Sequence, residues 1–189
     1  MSAIPSYELI RTQRLDLVLI PVPDLIQLFE DPRGYQLPQG SSYRNSYQVL
    51  IKNSGPLRWR VPQVKTDATL NKWFVRFIVH RQLQEIIGSI SFHGAPSANG
   101  MIEIGLGVEP EFQNQGYATE ALTGMWNWVC TEPAVETLRY TVSPDNLASQ
   151  RIIAKFGFPK VGVQIDDEDG PEDIYEIAKA DFLSRFGSQ

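Results

Sequence analysis

Apolar residues recur at Leu15, Leu17 and Leu19, with Arg14, Asp16 and Val18 between them, so residues 11–20 are predicted to form a strand closed by Pro21 and Pro23. Val22, Leu25, Ile26 and Phe29 then fall at helical spacing and predict a short helix over 23–31. A loop rich in proline and glycine covers 32–41. A helix is expected over 42–54, ending near Gly55-Pro56, and 56–70 reads as a loop with a helical turn. From 73 to 80, Trp73, Val75, Phe77 and Val79 alternate with Phe74, Arg76, Ile78 and His80; strands over 86–92 and 101–108 follow across polar turns, in the pattern of an antiparallel meander. Ala118, Ala121, Leu122, Met125 and Val129 share one face of a helix expected over 116–130. Next come a strand over 137–142, with Leu138, Tyr140 and Val142 on one side, and a helix over 146–156 that Gly157 closes. A last strand pair, 158–165 and 172–179, flanks an acidic turn. The unit made of strand 101–108, helix 116–130 and strand 137–142 predicts two parallel strands in an otherwise mostly antiparallel sheet, a mixed α/β architecture.

The segment from Val108 to Ala121 carries the strongest chemical signal. A strand stops at Pro110, and a polar loop, Gln113-Asn114-Gln115-Gly116, leads into an amphipathic helix. The unpaired N–H groups of a first helical turn and the helix dipole form an anion site, and Gly116 with Ala118 leaves the backbone open to a bulky pyrophosphate. The segment predicts a phosphorylated ligand.

Composition narrows this. The 189 residues suffice for one domain, expected over 8–182 with flexible ends at 1–7 and 183–189. Hydrophobic residues make up 42% and charged ones 21%; the net charge of −5 argues against a nucleic-acid binder and favours a cationic substrate. One cysteine, Cys130, and two histidines, His80 and His93, speak against a disulfide or a bound metal. Cys130 ends an apolar helix and reads as a small core residue; the histidines read as strand or turn residues. With no basic start before an apolar run and no long apolar stretch, a cytoplasmic protein without a membrane partner is expected. A homodimer remains open.

Gln113-x-x-Gly116-x-Ala118 resembles the acyl-CoA signature of the GNAT superfamily of N-acetyltransferases. Thr12-Gln13-Arg14-Leu15-Asp16-Leu17 is similar to the opening of its RimJ/RimL-like, ribosomal-protein N-acetyltransferase-like branch. Asn146-x-x-Ser149, followed by Lys155-x-Gly157-Phe158, resembles the late helix of that branch. These matches span roughly residues 11–180. The resemblance implies the GNAT fold: a mixed, mostly antiparallel sheet with a splayed parallel strand pair and flanking helices. It also implies acetyl transfer from acetyl-CoA, as co-substrate and without a metal, to a primary amine such as a protein N-terminus or a small amine. Two departures stand out. Asn114 replaces a frequent glycine, and Ile153 falls where many members carry a tyrosine acid.

Such a reaction needs a held pyrophosphate, a polarised carbonyl, a proton acceptor and protonation of the departing thiolate. The resemblance assigns donor binding to Gln113, Asn114, Gln115, Gly116, Tyr117, Ala118 and Thr119, to backbone groups of Leu106 and Val108 on the splayed strand, and to Asn146, which also reads as a helix cap. Gly105 and Gly107 inside that strand independently signal a close approach or bulge. Glu103 shares their face by period-two counting and is a candidate base or ammonium anchor; an exposed strand carboxylate is the plain alternative. Ser149 falls on the core stripe with Ile152, Ile153 and Phe156; its hydroxyl either bonds a carbonyl one turn back or serves the thiolate. The acidic tip 166–173 and the 32–65 loop, with Tyr35, Tyr43, Trp59 and Arg60, are expected near the acceptor mouth. The alternative to an enzyme is a sensor that binds acyl-CoA without turnover.

Overall fold

In the computed structural model, which describes residues 8–38, 41–166 and 170–187, the first strand pattern straddles a hairpin. Leu9–Arg11 (β1) pairs antiparallel with Leu15–Leu19 (β2), and Leu15 N donates to the Thr12 hydroxyl in the turn between them. Helix Val22–Glu30 (α1) carries Pro23 in its first turn, where a missing N–H deprives no carbonyl.

Residues 42–54 form turns, not the expected helix. The Asn45 side chain accepts from Val49 N and donates to Val49 O, while Gln48 and Leu50 take φ of 55° and 63°. A short amide that bonds nearby backbone competes with helix, and here it wins. Ser46 N and its hydroxyl both bond Glu85, which ties the loop to the sheet. The helix falls later, at Leu57–Thr66 (α2), followed by 3-10 turns over Ala68–Trp73. The next strand therefore begins at Arg76 rather than at 73.

Arg76–His80 (β3), Glu85–Phe92 (β4) and Met101–Val108 (β5) make the expected meander. Tyr117–Val129 (α3), Thr137–Val142 (β6), Leu147–Phe156 (α4), Lys160–Asp166 (β7) and Gly170–Ala178 (β8) follow. A further helix, Lys179–Phe186 (α5), begins where a strand end was expected and runs past residue 182, where the domain was expected to stop. Its Phe182 is fully buried.

The eight strands form one sheet in the order β1-β2-β3-β4-β5-β6-β8-β7, antiparallel throughout except for β5 and β6. Every residue of β4 is buried, so both faces of the central sheet are covered. Helix α3 packs across β1, β2 and β5. At its C-terminal half Trp126 sits 4.7 Å from the Phe156 ring, 4.8 Å from Phe158 and 5.7 Å from Phe182, an aromatic cluster joining α3, α4 and α5. Arg76, though fully buried, lays its guanidinium 4.9 Å from the Trp128 ring and donates to the Lys72 carbonyl. Among the described residues, no helix is long and apolar enough to cross a membrane.

Candidate active site

The parallel ladder between β5 and β6 contains only the pairs Met101–Thr137, Ile102–Leu138 and Glu103–Arg139, although both strands continue. Beyond Glu103 they diverge and leave a gap. The Glu103 carbonyl accepts from His93 N on the β4 side. By strand alternation, the peptide groups of Leu106 and Val108 therefore face the gap. The Val108 carbonyl accepts from Gln113 Nε2 at 2.9 Å, so the signature glutamine folds back onto the strand end.

The loop after β5 has the conformation of an anion cradle. Asn114 takes φ 59° and Gly116 φ 85°, so the position where asparagine replaces glycine does require a left-handed backbone. No side chain caps α3 at Gly116, and the first-turn N–H groups of Tyr117, Ala118 and Thr119 face the loop without helical partners. The loop is braced from the β1–β2 turn. Glu120 accepts from the Thr12 hydroxyl, from Arg14 N and from Arg14 Nε, and Arg14 Nη1 donates to the Gln115 carbonyl. Burial alone would raise the Glu120 pKa; these bonds and the Arg14 charge bring it below the usual value. The Tyr117 side chain is turned inward, with its hydroxyl 3.0 Å from His80 Nε2 and the Arg14 guanidinium over its ring. Only its backbone is left for a ligand.

Side chains alternate across the sheet, so the two strands lining the gap present different groups on each face. On the face of α3 and α4, Tyr140 of β6 is buried, and Ser149 stands close enough for its hydroxyl to act on the phenol. Burial raises the Tyr140 pKa and the Ser149 hydroxyl lowers it, with burial prevailing. Ser149 is half-buried rather than in the core, with the Tyr140 phenol beside it. Asn146 caps α4 by accepting from Ser149 N at 3.1 Å. A tyrosine thus does stand beside the serine, although Ile153 occupies the helix position where the resemblance would place one. Tyr140 reaches it from a strand, and strand–helix proximity has no fixed spacing.

On the opposite face a cavity of about 960 Å³ opens, lined by β4, β5, the start of α2 and the tips of β7 and β8. Glu103, Gly105 and Gly107 all line it, as period-two counting predicted. Glu103 Oε1 lies 3.2 Å from His93 Nδ1 and accepts from the Thr141 hydroxyl across the gap. Burial raises the Glu103 pKa; the bonds from His93 and Thr141 and the charges of His93 and Arg139 outweigh it and hold the carboxyl below its ordinary value. With Nδ1 turned to Glu103, His93 Nε2 points toward β5 and lies 2.9 Å from where a Cβ on Gly105 would sit. His93, read from the sequence as a turn residue, belongs to this cluster. Its separation of ten positions from Glu103 reflects antiparallel pairing, which the strand boundaries alone leave open. Asp166 and Glu172 line the cavity's rim, and residues 167–169 of the acidic tip lie outside the described residues. Arg60 and Trp59 do wall the cavity, whereas Tyr35 and Tyr43 are not among its lining residues. Cys130 is buried, and burial pushes its thiol up to about 11, which suits a core residue.

Residues 16–159 match the family described as acetyltransferase (GNAT) domain. The chain is similar to an uncharacterised N-acetyltransferase, YjdG, of Bacillus subtilis (strain 168), with 32% identity over 111 residues, 59% of this chain and 58% of that protein. The match thus spans less than two thirds of that relative's length. In fold it resembles the ribosomal-protein-S5-alanine acetyltransferase of Vibrio fischeri (TM-score 0.62, 15% identity, 92% of this chain and 98% of that one). It also resembles RimL, a ribosomal L7/L12 α-N-protein acetyltransferase solved with coenzyme A (TM-score 0.61, 18% identity, 90% and 98%).

Proposed function

The chain belongs to the GNAT acetyltransferase family, and we propose that it transfers an acetyl group from acetyl-CoA to a primary amine by direct attack. The observation that carries this reading is the gap past Glu103, with an uncapped helix start on one side and a carboxylate–histidine pair on the other. Acetyl-CoA supplies an acetyl thioester: the amine nitrogen bonds its carbonyl carbon as the carbon–sulfur bond breaks. The left-handed Asn114 and Gly116 and the first-turn N–H groups of α3 fit its pyrophosphate. The gap-facing N–H groups of Leu106 and Val108 suit its pantetheine arm and the thioester oxygen.

The remaining steps belong to this chain's side chains. Glu103, held ionised, fixes the tautomer and orientation of His93 and attracts the incoming ammonium. His93 Nε2 takes the amine proton. On the other face Ser149 and Tyr140 supply hydroxyls for the departing thiolate, with Ser149 bonding the sulfur and the phenol behind it. The two sets of groups lie on opposite faces of the sheet, so acceptor and donor meet only through the gap.

Thiol release from acetyl-CoA, measured across a panel of amines, tests the reading. At least one primary amine should give turnover, and Glu103→Gln should lower kcat/KM by about 10²-fold or more. Tight coenzyme A binding with no turnover on any amine would instead make the chain an acyl-CoA sensor.

A further inference from the structure

Arg60 sits where packing calls for an apolar side chain. It shares the buried stripe of α2 with Leu57, Val61 and Val64, and it is only 6% exposed. A buried guanidinium is normally held by a carboxylate, because an unpaired buried charge is strongly unfavourable. The Arg60 side chain takes part in none of the ion pairs or hydrogen bonds found among the described residues, and its Nε has no hydrogen-bond partner. Its one protein contact of note is the Phe74 ring, 5.6 Å from the guanidinium carbon. Burial pulls its pKa down to about 10, which leaves it charged at neutral pH. Arg76, the other buried arginine, is closed off from the cavity and spends a donor on Lys72 O. Arg60 lines the cavity that holds Glu103 and His93, and the Glu103 charge is felt at its guanidinium.

The geometry points to a carboxylate on the acceptor: we propose that the amine substrate is a small aminocarboxylate, its carboxylate gripped by Arg60 while its amine lies at Glu103 and His93. This rests on the acetyl-transfer reading and names the substrate class within it. The flat guanidinium fork matches a carboxylate with two parallel hydrogen bonds, and one negative charge neutralises one buried positive charge. A phosphate dianion would leave surplus charge in a partly closed cavity. A polyamine would set a second cation against Arg60. The acidic rim, Asp166 and Glu172, favours entry of the ammonium end. In this reading the acceptor is a zwitterion, with the cationic amine that net charge favours at one end and a carboxylate at the other.

The test compares free amino acids with their methyl esters, with polyamines and with short peptides, by thiol release. Free amino acids of at least one side-chain class should exceed their esters in kcat/KM by about 10- to 100-fold, the worth of a charge-assisted pair. In Arg60→Met, which keeps length and loses charge, that ratio should fall to near one. Circular dichroism melting of this variant checks that it is folded; if it is not, Arg60→Lys replaces it and should lose most of the preference. Equal rates with acids and esters in the wild type, or polyamines as the best acceptors, would overturn the proposal while leaving acetyl transfer standing. If no amine is acetylated, thermal-shift titration decides independently. Stabilisation by an amino acid and not by its ester, lost in Arg60→Met, supports the anion site; no difference sinks it.

Discussion

Glu103 touches both strands that border the gap, through its own place on β5 and through the Thr141 hydroxyl on β6. Its depressed pKa has a mechanistic consequence. A carboxylate held below its ordinary value is a poor proton acceptor near neutrality but a good partner for an imidazolium. The proton from the amine should therefore go to His93, with Glu103 acting through it. If the two act as one unit, His93→Ala and Glu103→Gln should each lower kcat by about 10²–10³-fold, and the double variant should be little worse than the poorer single one. Fully additive losses in steady-state kinetics would assign them separate jobs. The same depression sets an acid limit. The contribution of ionised Glu103 to stability is complete above the unfolded-state pKa, about 4.3, and is lost as the pH falls through the lower folded-state value.

The loop and helix from Val108 onward work as an element because the β1–β2 turn braces them, and Glu120 is the joint. Its pKa is also depressed, so its contacts stabilise at neutral pH and are lost on acidification. Glu120→Gln should lower the urea midpoint at pH 7, and the difference from wild type should shrink as the pH drops below about 4. A constant difference across that range would mean the contacts are not charge-dependent. Gly116, at φ 85°, tests the cradle itself: Gly116→Ala should cost about 1 kcal/mol or more and weaken coenzyme A binding measured by calorimetry. These elements were legible in the sequence because strand, breaker, glycine and amphipathic helix are local signals. The same holds for β4, β5, α4 and the parallel pair. Helix α2 was not, because Pro62 interrupts it and Arg60 breaks its apolar stripe. The false helix at 42–54 arose because nothing in its periodicity shows that Asn45 bonds Val49 instead. At the site, Glu103 was found by strand period, whereas His93 and Tyr140 depend on pairing and packing between distant segments. The residue that hid α2, Arg60, is the one that now suggests what the cavity binds.

At the scale of the molecule, the divergence that opens the gap also weakens the sheet. Only three residue pairs join β1–β5 to β6, β8 and β7. The second half must be held by other means, and the aromatic cluster supplies them. Trp126 on α3 meets Tyr140 on β6, Phe156 on α4, Phe158 after it and Phe182 on α5. Phe186 closes the set against Phe156 and Phe182. Helix α5 therefore braces Tyr140 through Trp126 although none of its residues lines the cavity. Phe182→Ala, which empties a fully buried ring site, should cost about 3–5 kcal/mol and lower Tm by roughly 6–20 °C. The loss should not be uniform. Amides of β6 and β8 should exchange hydrogen faster in the variant, while those of β2, β3 and β4, which pair along their own ladders, should keep their protection. Equal loss of protection on both sides of the gap would mean that three strand pairs are enough to couple the halves into one cooperative unit, and that the aromatic cluster adds stability without setting where the sheet gives way.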